Sequence, residues 1–239
     1  MGETVVPVER RTDVDVDMPG TCPWARQPTV AVMGAHTLQT FGPVQAWASL
    51  RTELSNRLDG DTLAALDDAV AFATERHGDQ TRPAGEPYLE HLLETVAVLT
   101  NGAAMTDTDL LVAAVLHDVV EDTDTELDEV RERFGTRVTT LVAWVTKPNP
   151  EPGHDPATAR ARYLARLSEA PDDAIYLKLA DRLSNVQRLD THPRPAKRAS
   201  YYRETVTRIL PLADRHPWFA AWYANWRQTF AHLNDAARS

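Results

Sequence analysis

The chain has 239 residues, 43% of them hydrophobic, enough for one domain with or without an appendage. Its formal net charge of −10 argues against a nucleic-acid binder, which would present a basic surface, yet leaves a nucleotide substrate open, because a metal and a few arginines make a local positive site. A single cysteine, Cys22, a charged N-terminus in place of a signal peptide's apolar core, and no apolar run near the roughly 20 residues of a membrane span together predict a cytoplasmic protein with no membrane segment.

In chain order, residues 1–43 carry Pro7, Pro19, Pro23, Pro28 and Pro43 without a sustained helical period. They predict an N-terminal tail with little structure of its own, and Met33 offers a second possible start within it. From residue 44 to residue 239 the apolar spacing is helical, and it predicts helices near 44–57, 61–77, 88–101, 107–121, 126–134, 136–146, 156–169, 172–189, 194–214 and 217–236. Asp61, Thr106-Asp107 and Pro171-Asp172-Asp173 mark three of the starts. A short ribbon is allowed near 80–87, and Pro148, Pro150, Pro152 and Gly153 mark a loop at 147–155. There is no glycine-rich phosphate loop and no run of strands at period two. The fold class expected is all-α, a bundle of about ten helices with a poorly structured tail.

The segment VAAVLHDVVEDTD (112–124) places a His-Asp doublet one helical turn ahead of a Glu-Asp doublet. His117 and Glu121 are four apart, as are Asp118 and Asp122, so one imidazole and three carboxylates crowd a helix end. Their repulsion calls for a cation, and carboxylates left over can handle protons. GEPYLEHLLETV (85–96) offers His91 at the start of another amphipathic helix. YLKLADRLSNVQRL (176–189) offers Asp181 between Leu179, Ala180 and Leu183, where a carboxylate needs a partner. His91, His117, Asp118 and Asp181 form a candidate ligand set from three helices. Nitrogen and oxygen donors without thiolate suit manganese, iron or magnesium better than a structural zinc.

Four segments, HGDQTRPAGEPYLEH (77–91), LHDVVEDTDT (116–125), FGTRVTTLVAWVTK (134–147) and KLADRLSNVQRL (178–189), resemble those of the HD-domain phosphohydrolases. The resemblance is to the (p)ppGpp hydrolase domains of the Rel/SpoT family and their stand-alone small alarmone hydrolase relatives, and it covers about residues 60–215. It implies an HD-type domain over 44–239 holding a divalent metal, manganese for preference. It implies that Glu121 and Asp122 manage the attacking water and the proton transfers, with the division of labour open because the pair can titrate together. It implies that Arg82 packs on the base, that Tyr88 lines the nucleotide pocket, and that Asn185 contacts ribose or base. Tyr88 as a core aromatic remains the plain alternative. Lys178 and Arg182 either neutralise phosphates or pair with the acidic cluster, and Arg182 is expected to be scaffold. His77 is expected in a supporting role, and Trp218, Trp222 and Trp226, four apart, as a helix face on the core.

Departures from the family fall around the substrate. Pro83 and Ala84 stand where it often has lysine and serine, and Gln187 and Arg188 where it usually has arginine and threonine. Arg188 is therefore expected to return positive charge from the opposite wall of the pocket. The reading that follows is hydrolysis of the 3′-pyrophosphate of guanosine tetra- or pentaphosphate to GDP or GTP, with a guanine nucleotide alarmone as the partner and no nucleic acid. No synthetase domain accompanies it, so degradation alone is expected. The rivals are an HD phosphohydrolase acting on another nucleotide, such as NADPH or a nucleoside 3′-phosphate, and a catalytically silent alarmone-binding module.

Overall fold

A computed structural model describes residues 37–44, 46–148 and 155–235. Residues 1–36, with Cys22 and Met33, and residues 149–154 of the proline-marked loop lie outside the described residues. Among the described residues the architecture is all-α. Its helices are α1 (Trp47–Leu54), α2 (Gly60–His77), α3 (Tyr88–Ala97), α4 (Thr108–Leu116), α5 (Val119–Asp122), α6 (Leu127–Val145), α7 (Pro156–Arg166), α8 (Asp172–Val186), α9 (Pro195–Glu204), α10 (Leu210–Ala213), α11 (Pro217–Thr229) and α12 (His232–Asp235).

Helix α4 is the centre. Its residues Leu110 to Leu116 are all buried, as an all-round apolar helix requires, and it packs against α2, α3, α6 and α8. Asp107 caps its start by accepting from the Leu110 amide. Helix α3 continues through a π turn (Val98–Gly102), and α9 runs into a second one (Thr205–Ile209) before α10. The ribbon allowed near 80–87 is a single antiparallel bridge between Thr81 and Pro87.

One predicted boundary is corrected and another is borne out. The single helix expected over 107–121 is two, because the chain breaks at His117 and Asp118, the latter at φ −105°, ψ −4°. The helices expected at 126–134 and 136–146 are both present within α6, divided at Gly135, whose φ 87° and ψ 169° are non-helical and open to glycine.

Residues 37–44, most of them assigned to the tail by sequence, pack on the domain. Phe41 is buried, its amide donates to Gln187 Oε1 at 2.7 Å, and its carbonyl accepts from Gln187 Nε2 at 3.0 Å. The tryptophan stripe faces the core as expected: Trp222 and Trp226 are buried and donate to the carbonyls of Gln39 and Val186.

Candidate metal centre and substrate cavity

The break after α4 aims His117 and Asp118 at the N-terminal turn of α3 and the middle of α8. His117 Nε2 stands 3.2 Å from His91 Nε2 and 3.1 Å from Asp118 Oδ2. Asp118 Oδ2 is 3.4 Å from His91 Nε2. Asp181 Oδ1 approaches from α8, 3.4 Å from His91 Nε2 and 3.7 Å from His117 Nε2. His91, His117 and Asp118 form the tightest trio, with one donor atom from each inside a 4.8 Å sphere of mutual distances. Neighbouring ligands of a six-coordinate ion with bonds of about 2.1 Å stand about 3 Å apart, so these separations suit a divalent cation.

Both imidazoles are placed to turn an Nε2 lone pair to a metal. His117 Nδ1 donates to the Ala114 carbonyl at 2.8 Å, which leaves Nε2 unprotonated and facing the site. His91 Nδ1 lies 2.9 Å from Ser184 Oγ, and Ser184 donates its own proton to Glu94 Oε2 at 2.7 Å. The serine oxygen therefore accepts from His91, and His91 Nε2 also faces the site unprotonated. Without a cation these carboxylates demand a proton instead. Burial alone would lower the His117 pKa, but Asp118 and Asp181 lift it to about 10. Burial alone would likewise raise both carboxyls, but His117 beside Asp118 and Lys178 beside Asp181 hold them well below the usual range. The donor chemistry and this charge imbalance both fit a divalent metal.

Tyr88 carries the site outward. Its hydroxyl lies 2.7 Å from Asp118 Oδ2 and 2.6 Å from Asp122 Oδ2, and one proton serves one of them at a time. Burial first, and then the Asp118 charge, push the phenol far above its ordinary range, so Tyr88 stays a neutral donor. Its ring stacks on His77 at 4.6 Å, and His77 reaches Gln80, which donates to the Asp122 carbonyl. Asp118 and Asp122 thus share a face as the spacing predicts. Glu121 turns the other way, onto the Lys147 ammonium at 2.5 Å and the Lys147 amide at 3.1 Å.

A cavity of about 190 Å³ opens beside the cluster. Tyr88, Glu121, Asp122, Lys178 and Asn185 line it as the sequence led one to expect. Lys147, Arg160 and Tyr201 also line it, and sequence reasoning missed all three. Lys178 is buried and bound to Asp181 Oδ2 at 2.7 Å, so its charge serves the acidic cluster rather than standing free. Arg182 pairs with Glu204 at 2.5 Å, the scaffold role expected of it, and Arg160 grips the same carboxylate at 2.5 and 2.7 Å.

Arg82 and Arg188 lie outside the cavity lining. Arg82 donates to Asn185 Oδ1 at 3.2 Å and stands 3.5 Å from Glu94 Oε2, at the cavity's edge. Arg188 was expected on the opposite wall. It lies past the end of α8, pairs with Glu94 and donates to the Phe41 carbonyl at 3.2 Å, because a buried carboxylate claims its charge. Glu94 was not singled out from sequence: it shares the His91 face of α3, but its partners Ser184, Gln187 and Arg188 come from in and just after α8, far along the chain.

Residues 69–219 match the HD domain family. A guanosine-3′,5′-bis(diphosphate) 3′-pyrophosphohydrolase of Aquifex aeolicus is 40% identical over 147 residues, 62% of this chain and 21% of that protein. The human enzyme of the same description, MESH1, is 40% identical over 136 residues, 55% of this chain and 73% of that protein. A solved structure described as a metazoan ortholog of SpoT that hydrolyses ppGpp superposes with a TM-score of 0.63 at 25% identity, covering 70% of this chain and 95% of that one. The chain spans about a fifth of the Aquifex relative and about three quarters of the human one.

Proposed function

The chain belongs to the HD-domain family, among relatives of its (p)ppGpp hydrolases, and from that premise we propose that it is a metal-dependent hydrolase of the 3′-pyrophosphate of guanosine tetra- or pentaphosphate. The observation that carries the reading is the convergence of two imidazole Nε2 atoms and two carboxylates, those of Asp118 and Asp181, beside a cavity that holds further acids and cations.

In this reading His91, His117, Asp118 and Asp181 hold the ion, and manganese suits their nitrogen and oxygen donors. A divalent metal held there would supply Lewis-acid chemistry, lowering the pKa of water so that it could attack near neutral pH. Tyr88 fixes Asp118 and Asp122 relative to each other through its hydroxyl. Glu121 and Asp122 take the proton of the attacking water and return one to the departing ribose oxygen, which would otherwise leave as an alkoxide. Lys147, Arg160, Lys178 and Arg182 balance the four lining carboxylates in number, so a divalent ion tips the cavity positive and suited to a diphosphate. Asn185, held by Asp181 Oδ1 at 2.7 Å, and Arg82 behind it stand on the nucleoside side.

The test is pyrophosphate release from ppGpp by the purified protein with manganese, with metal content measured in parallel. Asp118→Ala and Asp181→Ala should lose metal and turnover together; full activity in either at limiting manganese would sink the four-ligand assignment. One observation favours a second substrate. Arg82 and Arg188 are both engaged by Glu94, so the shell that would choose a guanine is altered. NADPH and a nucleoside 3′-phosphate belong in the same assay, and preference for either would move the substrate while keeping the reaction.

A further inference from the structure

Glu94 is buried to 1% side-chain exposure and touches nothing that reacts in the proposed hydrolysis. We propose that Glu94 is a positioning residue for the metal centre, acting through Ser184 to keep the His91 proton on Nδ1. The inference rests on the metal-site reading above.

A serine hydroxyl both donates and accepts, so by itself it does not choose a histidine tautomer. Were Ser184 to donate to His91 Nδ1, the ring proton would move to Nε2, the atom that faces His117, Asp118 and Asp181, and His91 could not ligate. Glu94 removes that choice. Its Oε2 takes the Ser184 proton at 2.7 Å, which leaves the serine oxygen only able to accept from His91 Nδ1 at 2.9 Å. Other donors converge on the same carboxylate. Arg188 pairs with Oε1, Gln187 Nε2 donates to Oε2 at 3.0 Å, and Arg82 stands 3.5 Å from Oε2.

His117 needs no such device, because its Nδ1 meets a backbone carbonyl, which can only accept. The two imidazoles thus reach one tautomer by different routes, and the His91 route depends on a distant acid. Partners of this kind typically change metal affinity or activity by about 10–100-fold when removed.

The experiment measures manganese affinity of the full chain from the electron paramagnetic resonance signal of the free ion, with circular dichroism to confirm folding. Ser184→Ala should weaken binding about 10–100-fold, and Ser184→Thr, which keeps the hydroxyl, should stay near wild type. Glu94→Met, which leaves Ser184 without its acceptor, should weaken it comparably, and wild-type affinity there overturns the role of Glu94; if that variant does not fold, Ser184→Ala, which breaks the same relay, decides. Arg188→Met, which breaks a Glu94 pair without touching the relay, should retain near-wild-type affinity. Wild-type affinity in Ser184→Ala overturns the proposal, as does an equal loss in Arg188→Met, which would make the cluster mere packing. Absence of binding in the wild type overturns the metal-site reading itself.

Discussion

Glu121 and Asp122 are neighbours in sequence held by opposite partners, and the difference separates their chemistry. Asp122 is tied to the ligand cluster through Tyr88, whereas Glu121 is tied to Lys147. Glu121→Gln should therefore keep its metal and lose rate, by about 10²–10⁴-fold if it moves a proton in the slow step. Metal content measured beside kcat decides it: loss of metal would make Glu121 a ligand. Arg188 calls for a different expectation from the one its sequence suggests. Arg188→Ala should leave KM nearly unchanged and destabilise the fold by about 1–3 kcal/mol, because Glu94 loses its closest cation. Urea unfolding and KM for each hydrolysed nucleotide check this, and a raised KM at unchanged stability would return Arg188 to the pocket. The four candidate ligands were legible because a His-Asp doublet and an acid in an apolar run are costly unless paired. Glu94, Lys147 and Arg160 were not, because each acquires its partners from other elements: Ser184 and Arg188 for Glu94, Glu121 for Lys147 and Glu204 for Arg160.

At the scale of elements, helix periodicity gave the number and order of helices closely, and it failed where packing overrode it. The 107–121 pattern is continuous in sequence, yet the chain breaks at His117 and Asp118, which lets Asp118 and Asp181 approach the same imidazoles. The π turn after α3 has a physical requirement of its own. A Cβ on Gly102 would lie 2.4 Å from the rigid Trp218 ring, itself set edge-on against Phe41. Gly102→Ala should cost about 1–3 kcal/mol by overpacking, read as a lowered Tm, and an unchanged Tm would show that the α11 end moves freely. Helices α7, α8 and α9 are joined by Glu204 between Arg160 and Arg182. Burial opposes its ionisation, but the two arginines hold its pKa at about 2, against an ordinary 4.5. A depressed carboxyl stabilises the fold above its unfolded pKa and ceases to do so as pH falls through the folded one. The stability gap between wild type and Glu204→Gln should thus be widest above about pH 5 and close toward about pH 2. A gap independent of pH would show that the bridge contributes by shape alone.

For the whole molecule, the excess negative charge that argued against nucleic-acid binding is partly concentrated in the core. Asp118 and Asp181 are drawn together with His91 and His117 from α3, α8 and the break between α4 and α5, segments far apart in the chain. An ion bound there joins the helices that pack around α4, and the unfolded chain offers no such site. By linkage it should stabilise the native state by about 2.7 kcal/mol at a hundredfold excess over Kd. For a domain of this size that corresponds to a Tm rise of roughly 5–10 °C. A chelator should reverse the rise, and magnesium or calcium should produce less of it if the two nitrogen donors matter. Asp181→Ala supplies the control. It should start at a different Tm, because Lys178 is left buried without its partner at 2.7 Å, and it should then respond little to manganese. An equal manganese-induced rise in wild type and Asp181→Ala would place the ion elsewhere on this acidic chain. A rise confined to the wild type, at the concentration that restores turnover, would tie fold stability and hydrolysis to one site.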